Sequence, residues 1–474
     1  MSLNENNSSE SRTLKLNLKR TFIIGFAFFG ILLMWQVYDN YASTFLSELF
    51  KEKLGVSNPE QVQYLVGIMM AIDNIAALIM MPIFGNLSDK TNTKIGKRMP
   101  YILIGTFVCA LLFPFMPIAF HYSKLGALIA LMAVIVFFAM MYRNPAVALM
   151  PDLTPKPLRS KANGIINIMG YIGGAVPSIL GIFLVLSDYL GTTAKHAEQF
   201  HNIWVIETPF LIASVLMVVS VVILFFAIKE NKIKEEIKED LILGEKQAEI
   251  EDSVENDDEK PMSKANLRML IFILIAEFLW FMADNGISTF MSNYTIYYLG
   301  ASTGSNMYNT IIGGLMSVVG FAIAGFIVMK IGRKWTLQGG LALTVLAYAA
   351  WLILSFVVEP NGKWPLYLYV IFAVKGFGMA LVHVNSFPMV VELCSAKKVG
   401  RFTGLYYASS MAAQSITPIL LGLLLLSHGF SFKLLPLYAL ICVVVSSVVF
   451  LFVKSVKLNK TKVKTGLEAL DGDD

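Results

Sequence analysis

Residues 35–47 read Trp35-Gln36-Val37-Tyr38-Asp39-Asn40-Tyr41-Ala42-Ser43-Thr44-Phe45-Leu46-Ser47. Residues 280–292 read Trp280-Phe281-Met282-Ala283-Asp284-Asn285-Gly286-Ile287-Ser288-Thr289-Phe290-Met291-Ser292. Seven of the thirteen positions are identical, and in both copies an Asp-Asn pair sits inside a long apolar run. Working outward, Lys94-Ile95-Gly96-Lys97-Arg98 is matched by Lys330-Ile331-Gly332-Arg333-Lys334. Asp152-Leu153 precedes Gly164 by twelve residues, and Glu392-Leu393 precedes Gly404 by the same interval. Three matches in the same order mark the chain as one unit written twice.

The surrounding composition excludes a water-soluble chain. Of 474 residues, 56% are hydrophobic and 15% charged, and the mean hydropathy is +0.64. That leaves too little charge to cover a hydrated surface. A membrane-spanning helix needs about 20 mainly apolar residues. This predicts spans at 21–49, 62–87, 100–120, 126–150, 163–187 and 204–228, then at 267–298, 307–329, 336–358, 366–391, 402–427 and 433–454. The expected fold is all-α and integral to the membrane, with twelve transmembrane helices in two pseudo-symmetric six-helix bundles, 21–228 and 266–456. Tails at 1–20 and 457–474 flank them, and a charged linker at 229–265 joins them. Its acidic run, Glu249 to Glu259, marks the linker as solvated.

With the N-terminus inside, the inner segments carry 22 Lys and Arg and the outer ones 6, the linker left out. The positive-inside bias predicts a multi-pass protein of the cell membrane with both termini cytoplasmic. Duplicated six-helix halves related by an axis along the membrane normal are a secondary-transporter pattern. In that pattern Asp39 and Asp284 face each other across a central path. The sequence has no phosphate loop, His-Glu-x-x-His metal motif or Gly-x-Ser-x-Gly elbow. Neither an enzyme nor a nucleic-acid partner is expected, and no cofactor or metal. Cys109, Cys394 and Cys442 are scattered and read as small apolar residues.

Ionisable side chains at membrane depth are costly, by on the order of a few kcal/mol, and are functional candidates by default. They are Asp39, Asp73, Arg143, Glu207, Glu277, Asp284, Lys375 and His383. Glu207 lies near a helix end, where it snorkels to water. Asp284 and Lys375 lie sixteen and seventeen residues from Arg268 and Glu392, and Glu277 and His383 nine residues from the same markers. A constant helical rise then predicts two depth-matched pairs, Asp284 with Lys375 and Glu277 with His383. Asp73 comes near the depth of Asp39, with Arg143 about 10 Å nearer the inside, a gap an extended Arg bridges in part. Burial favours a protonated carboxyl and a nearby cation an ionised one. Asp39, Asp73, Asp284 and Arg143 are therefore the candidate cation-coupling groups. Sugar sites combine aromatic faces with amides and charges for hydroxyls. Trp35, Tyr38, Asn40, Glu277, Trp280, Asn285, Lys375, His383, Asn385, Tyr407 and Gln414 supply that chemistry.

The segment Gly85-Asn-Leu-Ser-Asp89-Lys90-Thr-Asn-Thr-Lys-Ile-Gly96-Lys97-Arg98 resembles the signature loop between helices two and three of the major facilitator superfamily. The resemblance covers essentially the whole chain. It implies that Gly85, Asp89, Lys90, Gly96, Lys97 and Arg98 form a gating loop, with Asp89 pairing basic groups as a charge latch. It also implies a central path lined mainly by helices one, four, seven and ten, the helices that carry Asp39, Arg143, Glu277, Asp284, Lys375 and His383. Within the superfamily the chain is similar to the glycoside–cation symporters of the sucrose and maltose type. Gly96-Lys97-Arg98-Met-Pro100-Tyr101, Arg143-Asn-Pro145 through Pro151-Asp152-Leu153-Thr154-Pro155, Asn385-Ser-Phe-Pro388-Met-Val-Val-Glu392, Gly404-Leu-Tyr406-Tyr407 and Gln414-Ser-Ile-Thr-Pro418 carry that likeness. Melibiose-type relatives bind sodium through acids on helices two and four and hold sugar with a lysine on helix eleven. The matching positions here are Ala77, Met81, Arg143 and Ser415. That departure implies proton rather than sodium coupling.

The resulting expectation is secondary active transport: proton-coupled uptake of a sugar or glycoside by alternating access. A disaccharide such as sucrose or maltose is favoured, carried by a monomer in the lipid bilayer. An exporter or lipid or organic-solute carrier of the same fold, or a transporter-like sensor, are the alternatives.

Overall fold

The computed structural model describes residues 14–191, 202–254, 264–393, 399–426 and 431–454, without the side chains of 160, 248–254 and 399–400. The tail expected at 457–474, most of that at 1–20, Cys394 and the side chains of the acidic run lie outside the described residues.

Apolar runs of spanning length become helices because only a helix satisfies its own backbone where no water competes. They are α1 (Leu18–Leu54), α2 (Pro59–Lys90), α3 (Met99–His121), α4 (Leu125–Asp152), α5 (Lys161–Phe183), α6 (Trp204–Ala227) and α7 (Lys264–Tyr298). The next run, Thr303–Val357, is continuous by hydrogen bonding but breaks at Gly332, with φ 82° and ψ 162°. Residues 303–331 are α8 and 333–357 are α9. Then follow α10 (Tyr367–Val391), α11 (Arg401–Leu426) and α12 (Leu434–Leu451). The sequence predicts a six-residue connection between α8 and α9; the structure turns the chain at one residue, in a conformation open to glycine.

Each half has its own apolar core, one built from residues between Ile24 and Ile228 and the other from residues between Leu270 and Val453. Large apolar side chains such as Leu111, Phe183, Leu346 and Phe356 stand fully out on the helix surfaces. Patches of that extent are unfavourable in water and neutral in a hydrocarbon layer.

The linker forms two helices, Glu230–Glu236 and Lys238–Val254, with most of its charged side chains exposed and Glu230 buried. Gly244 packs against Pro155 and Pro157. Arg20 lies in the field of Asp240 and Glu236, and Arg159 in that of Asp152 and Glu245. The linker is thus laid along the first half.

The halves meet tightly at the end remote from the Lys- and Arg-rich loops. There α2 crosses α11 so closely that a Cβ on Gly67 would stand 2.0 Å from the Pro418 carbonyl oxygen, and one on Gly422 2.5 Å from that of Gln63. At the basic end, Lys97 and Arg98 pair within the first half and with the linker, and Arg333 pairs with Glu392 within the second.

Candidate functional site

Helical periodicity sets what the repeated motif presents. Trp35 and Asp39, like Trp280 and Asp284, are one turn apart and share a face. The electrostatic surroundings of the two faces differ.

In the second half Asp284 is matched by cations. Lys375 Nζ on α10 lies 2.8 Å from Asp284 Oδ1, and His383 Nε2 lies 3.7 Å from Oδ2. The Lys375 pair is the one that depth predicts; the structure adds His383 to it. The His383 ring packs edge-on against Phe281 at 5.5 Å. Tyr348 of α9, which sequence patterns did not single out, stands against the same carboxylate. Glu277 is fully buried two turns nearer the basic end.

In the first half two acids lie near each other, and one of them is in the field of an arginine. Tyr38 donates its hydroxyl to Asp73 Oδ2 at 2.5 Å. Asp39 interacts electrostatically with Arg143, and Asp73 with Asp39. Asp73 comes from α2, outside the four expected lining helices, yet Tyr38 ties it to the α1 face. Trp35 packs edge-on against Tyr38 at 5.5 Å, and Gln36 donates to Asn40 at 3.1 Å.

Among the described residues, Trp35 Nε1, Trp280 Nε1, Asn40 Nδ2, Asn285 Oδ1 and Asn385 Oδ1 are buried polar atoms without a hydrogen-bond partner. Buried polar groups are nearly always paired, so such a set calls for an explanation, and a polar ligand is one. Three donors and two acceptors of this kind, with two indole rings, are chemistry that suits a polyhydroxylated ring. Asn385 spends its other end on the Leu381 carbonyl at 2.8 Å. Tyr407 packs among Tyr406 and Phe387. Gln414 lies at the α2–α11 seam, where its carbonyl accepts from Asn74 at 3.2 Å. At the positions that the resemblance aligns with the sodium and sugar ligands of melibiose-type relatives, Ala77 is buried and Ser415 donates to its own helix. The Met81 carbonyl accepts from Asn144 at 2.7 Å.

The gating-loop residues are brought together in their own half. Arg98 binds Ser88 and Asp89 and reaches Asp152 at 2.9 Å; Lys97 lies 3.1 Å from Asp152 and 3.4 Å from Asp89. Gly85, Asp89 and Lys90 belong to the last turns of α2, and Lys90 stays exposed. Glu230 of the linker completes the cluster and was missed at the sequence level. Its carboxylate accepts from the backbone N–H of Lys97 at 3.1 Å and of Arg98 at 3.0 Å, which caps α3 from outside its own helix. Gly96 permits this: its φ is 115°, and a Cβ there would stand 2.1 Å from Glu230 Oε2. The equivalent corner of the second half holds Arg333 on Glu392 at 2.8 Å.

Two six-helix bundles with a polar, charge-bearing seam between them define a membrane carrier. The model of the Major Facilitator Superfamily matches residues 24–361 and 273–470, and the chain belongs to that superfamily of transporters. A lactose permease of Lactobacillus helveticus is 25% identical over 338 residues, 68% of this chain and 48% of the permease. The match thus spans about half the length of that relative. A solved POT family transporter in complex with 5-aminolevulinic acid is 13% identical, with a TM-score of 0.63 over 91% of this chain and 95% of that one. The xylose transporter XylE from E. coli, solved in a partially occluded inward open conformation, is 13% identical with a TM-score of 0.60 over 90% and 98%. The nucleoside transporter NupG, solved as a point mutant, is 13% identical with a TM-score of 0.60 over 91% and 99%. These likenesses place the fold.

Proposed function

We propose that this protein is a cation-coupled symporter for a sugar or glycoside, working by alternating access, with the proton as the coupling ion. The observation that carries the reading is the charge inventory of the first half. Asp39 lies in the field of Arg143 and Asp73 in that of Asp39, whereas Asp284 has Lys375 and His383 beside it. A second carboxylate beside the Asp39–Arg143 pair leaves the group one positive charge short of neutrality in a medium that penalises net charge. A proton at either acid supplies it, and closing the path around the pair makes it obligatory. The unpaired indole and amide groups support a neutral polyol as cargo, and likeness to a lactose permease supports a disaccharide. Lactose joins sucrose and maltose as first candidates. Residues 21–228 and 266–456 act as the two rocking bodies in the cell membrane, with both termini cytoplasmic. On that orientation the tightly joined end is the outer one and the carrier is inward-facing.

The test is uptake of labelled lactose, sucrose and maltose into proteoliposomes under an imposed proton or sodium gradient, with wild type and Asp39→Asn. Proton-driven accumulation that falls to gradient-independent exchange in the variant is the expected result. Sodium-driven accumulation overturns the choice of ion, and no accumulation of any sugar overturns the symport reading.

A further inference from the structure

The position after the thirteen-residue repeat is Glu48 in the first copy and Asn293 in the second. Each reaches across to the other half. Asn293 of α7 accepts from Thr44 Oγ1 at 2.9 Å and donates to Ser47 Oγ and Gln63 Oε1, both at 3.0 Å. Ser47 and Gln63 are also bonded to each other, at 3.2 Å. All four residues are fully buried. Glu48 of α1 accepts from the Tyr297 hydroxyl of α7 at 2.6 Å, and Lys51 sits over that ring at 5.1 Å.

We infer that Asn293, with Glu48 as its counterpart, is the lock that holds the two halves together at the face remote from the basic loops. It thereby sets the balance between the two access states; this rests on the alternating-access reading above. Asn293 does not touch the acid pairs, so it is a positioning residue of the transport cycle. The chemistry suits a reversible contact. An amide held by three partners from α1 and α2 fixes the register of the closed state. Once parted, every group in the knot finds water, so opening exchanges one set of hydrogen bonds for another at small net cost. A knot of apolar side chains exposes its surface on opening and has no such compensation.

The experiment reads access directly. Ser288, exposed on the same face of α7 as Asp284, is replaced by Cys in a background with the three native cysteines changed to Ser. Its labelling by a membrane-impermeant maleimide is timed from each side of oriented vesicles, with and without Asn293→Leu. Leu keeps the volume and loses the bonds. The expected result is labelling from the remote face about tenfold faster or more in the variant, slower labelling from the basic face, and a half-saturation for uptake that moves while folding is retained. Ser47→Ala moves labelling the same way by a smaller factor, which guards against a misfolded first variant. Wild type that labels from both faces, with Asn293→Leu at the same rates, overturns the lock. Wild type whose labelling never responds to substrate or gradient overturns alternating access instead.

Discussion

The two halves carry the same Trp-x-x-x-Asp-Asn motif and place it in opposite electrostatic settings. In the second half Asp284 sits between Lys375 and His383, a neutral or slightly positive group that needs nothing further. In the first half Asp39 lies in the field of Arg143, with Asp73 near it and the Tyr38 hydroxyl on Asp73. A duplicated unit starts with equivalent acids, so the difference lies in what α2, α4 and α10 contribute. On the proposed mechanism one acid is a strut and the other a site with a variable charge. This division of labour makes neutralising substitutions in the two halves behave differently.

The largest difference concerns accumulation. Each unit of pH difference supplies about 1.4 kcal/mol per proton, so one-proton symport supports about tenfold accumulation per unit. Asp73→Asn is expected to bring that ratio to about one while sugar exchange continues, measured as accumulation and counterflow in the same vesicles. Asp284→Asn is expected to impair exchange and accumulation together. Equal loss of exchange in both variants would break the comparison.

Stability comes next. Lys375→Met leaves Asp284 beside His383 alone. Removing one partner of a buried pair costs about 3–5 kcal/mol, less here because both side chains keep about a fifth of their surface exposed. About 2 kcal/mol is expected, read as a lower unfolding midpoint in detergent. Most of it should return in Lys375→Met with Asp284→Asn. Asp73→Asn in the same assay is expected to be neutral or stabilising, because it removes the like charge beside Asp39 and keeps an acceptor for Tyr38.

Much of this architecture can be read from residue order alone, because the signals involved are one-dimensional. Apolar length fixes a span, and a constant rise fixes depth, which is why Asp284 and Lys375 could be paired beforehand. What stays hidden depends on rotation and on contacts between distant helices. Tyr38 on Asp73, Tyr348 beside Asp284 and Asn293 among Thr44, Ser47 and Gln63 each need the azimuth of two helices. Glu230 was hidden for another reason. In a run of mixed Lys and Glu it looks like every other solvated charge, and only the Gly96 corner marks where it goes. The turn at Gly332 escaped because a charged six-residue stretch reads as a loop whether or not the helix continues through it.

A smaller contrast separates the two basic corners. Arg98 is tied to Ser88, Asp89 and Asp152 and Arg333 to Glu392, and both arginines are buried. Arg98→Ala is expected to cost about 2–3 kcal/mol, read as a lower unfolding midpoint.

The smallest expected effect is the most local. Glu230 caps the first turn of α3 from the linker. Loss of a helix cap costs about 1 kcal/mol. Glu230→Gln keeps one acceptor oxygen and should cost less than Glu230→Ala, which leaves the Lys97 and Arg98 N–H groups without that partner. The check is hydrogen exchange at residues 96–99, faster in the order Ala, Gln, wild type, with the Gly332 corner unchanged as the internal control. Equal acceleration at both corners would mean the linker steadies the whole bundle rather than one helix end, and the asymmetry between the halves would then rest on their acids alone.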